Sequence, residues 1–131
     1  MDKATPAELL HELRIDAKKL RYLIDVTRRF YDTNDIDCVL STLKKLQRAL
    51  GDFNDARVQE KRLLEYGQAM GAAGGSVNAV LALGQLAERS RQRAQQLRPY
   101  VMSSLAQFRT GRTRSACRRA FKRVSQAEHT R

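Results

Sequence analysis

Tryptophan is absent from this 131-residue chain, and proline, cysteine and histidine occur only twice each. Each scarcity excludes something. Without tryptophan the chain lacks the largest stacking platform used by single-strand nucleic-acid binders and the bulky anchor of interfacial membrane helices. Its two cysteines, Cys38 and Cys117, form no Cys-x-x-Cys pair, and His11 and His129 are the only histidines. Zinc-ligand spacing is therefore missing, and both thiols are expected to be ordinary small core residues in a reducing compartment. Runs of Val, Ile and Thr that would mark strands are absent too. The weakly polar stretch from Ala69 to Leu83 is too short to span a bilayer, and the start does not read as a signal peptide, so the chain is expected to be cytoplasmic. There is no Gly-rich phosphate loop, no recognisable Ser/His/Asp spacing and no ligand cluster for a metal. We expect no catalytic residues, no metal and no cofactor, hence no enzyme.

What is present is helix-forming sequence. Ala, Leu, Arg and Gln dominate, all good helix formers. The length suits one domain with one core. The expectation is an all-α fold, an up-and-down antiparallel bundle of about four long helices plus a basic C-terminal helix, forming a single domain over residues 1–131.

The net charge is +11 and unevenly spread. Residues 1–83 hold 13 Lys/Arg against 12 Asp/Glu, whereas residues 84–131 hold 12 against 2. Such asymmetry points to a polyanionic partner, whether nucleic acid, polyphosphate or an acidic membrane surface. A solvated basic face kept for solubility is the plainer alternative.

Along the chain, Thr5-Pro6-Ala7-Glu8 reads as a helix start, with Thr5 as cap, Pro6 in the first helical position and Glu8 completing a capping box. Leu10, Leu13, Ala17, Leu20 and Ile24 then recur at the helical period, predicting a helix to about Tyr31. Asp32-Thr33-Asn34-Asp35 reads as a turn. A second helix is predicted over 36–50, with Leu43, Leu46 and Leu50 inward. Gly51 is expected to break it, with Asp52, Asn54 or Asp55 capping a third helix over 55–70 that turns Val58 and Leu63 or Leu64 inward. Residues 71–75 form the clearest loop. Ser76 should cap a long fourth helix through Val80, Leu83, Leu86 and Leu97, which Pro99 kinks or restarts. Met102, Leu105 and Phe108 continue an apolar side up to a break at Thr110-Gly111. A last helix over 113–127 sets Ala116, Cys117, Ala120, Phe121 and Val124 against Arg114, Arg118, Arg119, Lys122 and Arg123. Phe30, Phe53, Phe108 and Phe121 all fall at core-like positions.

The informative segment is His11 to Tyr22. At about 100° per residue, His11, Arg14, Lys18, Arg21 and Tyr22 fall near 0, 300, 340, 280 and 20° on the helix wheel, and Arg29 returns to about 0°. That is one stripe, set apart from the apolar positions. Each step of three or four residues advances roughly 5 to 6 Å, an interval at which a row of cations meets successive groups of a linear phosphate chain. Arginines bind phosphate oxygens bidentately and lysine acts as a mobile point charge. Like charges aligned on a helix repel one another by a few tenths of a kcal/mol per pair, which an anion would relieve. The stripe also fits a surface face that pairs with carboxylates, although Glu12, Asp16 and Asp25 lie off it.

Read as His-x-Leu-Arg-x-x-x-Lys-x-Leu-Arg-Tyr, residues 11–22 resemble the histidine-bearing motif of the CHAD family, the conserved histidine α-helical domain. Leu46-Gln47-x-x-Leu50-Gly51-Asp52-x-Asn54-Asp55 resembles that family's Leu-Gln-x-x-Leu-Gly-x-x-x-Asp segment, in the right order and at the right distance. The region after Gly75 matches only in general character. The resemblance implies a helical-bundle domain that binds inorganic polyphosphate through basic side chains, in some members at polyphosphate granules. Carried over position by position, His11, Arg14, Lys18 and Arg21 become ligand contacts. Tyr22 and Arg29 extend the stripe, and Lys44 and Arg48, one turn apart before Gly51, are weaker candidates. Asp55 is expected to cap a helix or orient a basic side chain. A whole family domain has two related bundles, each with its own basic motif, around a basic pore. This chain has one motif and resembles the C-terminal half. It is either a piece of a longer protein, a short member using an open face, or one of two copies that form a homodimer and rebuild the two-bundle domain. Nucleic-acid binding through the Arg-rich last helix is the rival reading, since its electrostatics are the same.

Overall fold

A computed structural model of the chain describes residues 6–30, 33–110 and 112–119. Three helices carry it: α1, Ala7–Thr27; α2, Thr33–Ala72; and α3, Val77–Phe108. A 3-10 turn, Arg28–Phe30, follows α1, and residues 112–119 form a further helix, α4. No strand occurs among the described residues, and the fold is an all-α helical bundle.

The α1 helix buries Leu10, Ala17 and Ile24, three residues seven apart, with Leu13 and Leu20 half-buried beside them. Seven-residue spacing keeps one narrow seam inward over two turns. Pro6 is the N-cap rather than the first helical residue, and its carbonyl accepts from the Leu10 N–H at 3.3 Å. Thr5, the expected capping side chain, lies outside the described residues, while Glu8 sits in the first turn, where its charge complements the helix dipole. The α-helix ends at Thr27, short of the expected Tyr31, which is itself outside the described residues. Phe30, read as core, is 47% exposed.

The sequence pattern is corrected most in α2. Thr33, Asn34 and Asp35 are its first turn and not a loop, because Ile36, Val39 and Leu40 are all buried and need the helical phase to face the same way. Gly51 does not end the helix, and Asp52, Asn54 and Asp55 are mid-helix residues instead of caps. The apolar seam runs unbroken through Leu43, Leu46, Leu50, Phe53 and Ala56, each at most 5% exposed. Burying a Leu or Phe side chain is worth about 1.5–3 kcal/mol, against roughly 1 kcal/mol for a glycine within a helix, so packing overrides the break. A Cβ at Gly51 would meet nothing within 4 Å. Gly51→Ala is therefore expected to stabilise the chain by about 0.5–1 kcal/mol, read as a higher urea midpoint at unchanged slope.

The α2–α3 turn holds the glycines the backbone requires. Gly74 adopts φ 74° and its N–H donates to the Gly71 carbonyl at 3.2 Å, while the Gly75 N–H reaches back to Met70 at 2.8 Å. This is a Schellman stop, and Gly71 and Ala72 belong to the helix before it rather than to the loop. Ser76 stands at the start of α3 and its carbonyl accepts from the Val80 N–H. The α3 helix does not restart at Pro99 but runs through it to Phe108. Thr110 then caps α4: its hydroxyl accepts from the Thr113 N–H at 3.4 Å and its carbonyl from Arg114 at 3.0 Å. The predicted last helix is described only to residue 119, so Ala120, Phe121, Lys122, Arg123 and Val124 lie outside the described residues.

The chain forms two compact units, one drawn from residues up to Leu50 and from Val101 onward, the other from Gly51–Tyr100. The first carries most of the buried residues: the α1 seam, Ile36 to Leu50, Val101, Leu105 and Ala116, with Thr113 the buried polar residue. The second buries Phe53, Ala56, Ala87 and Ala94, with the Arg98 guanidinium over the Phe53 ring at 5.8 Å. Small residues dominate this second core. Val58, Leu64 and Leu86, read as inward, are 38, 47 and 45% exposed, whereas Leu63, Val80, Leu83 and Leu97 are half-buried.

Candidate functional site

The eight candidate residues all fall in the first unit, on α1, on the turn after it and on α2. With the α1 seam centred on Leu10, Ala17 and Ile24, the stripe divides into two grades of exposure. Arg14 and Arg21, nearest the seam on the wheel, are half-buried, and His11, Lys18 and Tyr22 stand outside them, exposed. Arginine suits the inner position: its aliphatic stem covers apolar surface while the guanidinium stays at the rim. Tyr22 is 72% exposed, leaving its ring open to a ligand.

Arg21 is the residue whose surroundings are best defined. Its Nη1 donates to Gln47 Oε1 at 3.3 Å, and its Nε lies 3.9 Å from Asp25 one turn along α1. The first contact reaches α2 between Lys44 and Arg48, which lie on the same flank of α2 as Gln47. Both are exposed. Sequence reasoning singled out Lys44 and Arg48, gave Gln47 no role beyond its place in the motif, and set Asp25 off the stripe, whereas its carboxylate approaches Arg21. Gln47 has no charge and its role depends on a neighbour in another helix, so only the motif around it gave any signal. An amide holds a guanidinium by hydrogen bond without neutralising it, and the pair with Asp25 is exposed, long and worth at most a few tenths of a kcal/mol. Arg21 is thus oriented and remains cationic.

Arg29 stands apart. The expected wheel position assumed an unbroken α-helix, but residues 28–30 are a 3-10 turn, which advances about 120° per residue. Its guanidinium lies over the neighbouring Phe30 ring at 5.0 Å. Beside it, Arg28 donates to Asp37 Oδ1 at 3.0 Å, a second link between α1's end and α2. Asp55 is exposed, in the middle of α2.

What this arrangement offers chemically is a row of cations and donors. Among the described residues, no group of three His, Cys, Asp or Glu side chains is placed to hold a metal ion. No described helix is long and apolar enough to cross a membrane. Both thiols are free, and each is half-buried rather than a core residue.

Comparison with known proteins adds one finding. No curated protein and no solved structure matches the chain. The family model described as the CHAD domain matches residues 1–64. That span holds α1, the 3-10 turn, α2 as far as Leu64 and all eight candidate residues. The resemblance to the CHAD domain family is thus carried by residues 1–64, just under half of the chain.

Proposed function

We propose that this protein binds inorganic polyphosphate, without catalysis, along the face formed by His11, Arg14, Lys18, Arg21 and Tyr22 on α1 and by Lys44 and Arg48 on the adjoining flank of α2. CHAD domains are associated with polyphosphate binding in general. The observation that carries the reading here is the Arg21–Gln47 contact, which sets the α1 cations beside the α2 cations inside the family-matched segment. A flexible chain with one charge per phosphate fits a row of cations at one-turn intervals. Arg29 extends the row only by swinging away from Phe30. Deposition at polyphosphate granules in the cytoplasm follows from the same reading.

The test is competition at one fixed salt concentration. Labelled polyphosphate bound to the chain is challenged with unlabelled polyphosphate, RNA or DNA at equal phosphate concentration. Polyphosphate is expected to displace the label at a tenfold or more lower concentration than either nucleic acid. Equal displacement by RNA would instead favour general polyanion binding, with the arginines of α4 as its natural seat.

A further inference from the structure

The two cysteines lie far apart in sequence and on helices that meet. Arg119 Nε of α4 contacts Asp35 Oδ1 in the first turn of α2 at 2.9 Å. Thr113 and Arg112 of α4 line a cleft together with Cys38 and Thr42 of α2. Cys117 falls between these two α4 contacts, four residues after Thr113 and two before Arg119. Cys38 falls between their α2 counterparts, three residues after Asp35 and four before Thr42. Thr113 and Ala116 of α4 are buried, and neither carries a large side chain. Burial pushes the Cys117 thiol up, and the charge of Cys38 acts on it in the same direction.

We propose that Cys38 and Cys117 are a disulfide-forming pair, oxidised by a small anionic disulfide that enters the cleft, and that the bond staples α4 to the start of α2. Cys38 lines the cleft and meets the small disulfide there as the nucleophile. Its thiolate attacks one sulfur of the small disulfide, forming a mixed disulfide and expelling one small thiolate. The Cys117 thiolate then attacks the Cys38 sulfur and expels the second. Two protons leave the protein and end on the two released thiols, and the two electrons lost by the cysteines reduce the small disulfide. Arg112 at the cleft supplies a positive charge for a carboxylate-bearing oxidant such as oxidised glutathione. The bond would fix the segment bearing Arg112, Arg114, Arg118 and Arg119 without touching the cations of α1.

The experiment treats the full chain with oxidised glutathione and then counts free thiols by alkylation under denaturing conditions. The expected result is a fall from two thiols to none, in a monomer, with no retained glutathione mass and with one cross-linked peptide pair containing Cys38 and Cys117. Cys38→Ser and Cys117→Ser should each stop at a stable glutathione adduct or stay reduced. Retention of both thiols, two glutathione adducts on one chain, or loss of thiols only through linked dimers would overturn the proposal. The wild-type thiol count decides the matter even if a serine variant fails to fold.

Discussion

Arg14→Ala combined with Lys18→Ala is expected to lower polyphosphate affinity by about 100-fold or more while leaving the helical content unchanged. A hydrogen bond to a charged group contributes about 1.5–3 kcal/mol, and each 1.4 kcal/mol is a factor of ten. Two such groups acting on one ligand would give roughly two to four decades if fully additive, and neighbours on a single polyanion fall short of that. Arg14 is the stronger half of the pair, because it is half-buried at the edge of the α1 seam and pre-positioned, whereas Lys18 is exposed and must be immobilised on binding. The control is Lys61→Ala with Arg62→Ala. It removes the same charge from an exposed stretch of α2 outside the candidate face. If the face is a site, the control should lose less than about threefold at 0.1 M salt, where charges beyond roughly 10 Å are screened. Equal losses from both double variants would leave only net charge as the cause. Isothermal titration or retention on immobilised polyphosphate reads the difference, with circular dichroism to show that both variants are folded.

Gln47→Ala is informative beside that pair. It removes no charge and leaves Arg21 held only by the long contact to Asp25. A modest loss of affinity with an unchanged salt dependence would mark Gln47 as a residue that positions Arg21, since the number of displaced counterions would stay the same.

How much of this was legible in the sequence differs from helix to helix. In α1 the apolar period and the basic stripe are both local patterns, and both survive: Leu10, Ala17 and Ile24 are buried and the cations lie off the seam. In α2 the local signals misled. Gly51 beside Asp52, Asn54 and Asp55 has the composition of a stop followed by a cap, yet a seam from Leu43 to Ala56 crosses it, and burial summed over that seam exceeds one glycine's preference. The same competition turned Thr33–Asp35 from a turn into a first helical turn. At Gly74 and Gly75 no apolar seam crosses, and there the glycines do terminate the helix. The candidate site could be drawn from the sequence only as a list of residues, not as an arrangement. Nothing local couples Arg21 to Gln47 or Cys38 to Cys117, because those relations exist only once helices distant in sequence have packed.

The second large effect is on stability, and it bears on how the face is built. Leu43→Ala is expected to destabilise the chain by about 2–5 kcal/mol, the range for emptying a Leu-sized site in a core that only partly collapses. Leu43 is 1% exposed and sits amid Leu40, Leu46 and Leu50, all buried on the same seam. At several degrees per kcal/mol for a chain of this size, the thermal midpoint should fall by roughly 10 °C or more. Leu81→Ala is the matched comparison: Leu81 is 60% exposed, so the same truncation there should change stability by no more than about 0.5 kcal/mol. Leu43 directly precedes Lys44, and the helix phase that buries one exposes the other. At a temperature where the variant is still folded, polyphosphate affinity should therefore stay within about threefold of wild type. A ligand that binds only the folded chain stabilises it by RT ln(1 + [L]/Kd), so saturating polyphosphate should raise both midpoints by a similar free energy. A variant destabilised by Leu43→Ala that bound polyphosphate equally well when unfolded would show no such rise, and the cations would then be acting as bulk charge instead of as a face that folding assembles.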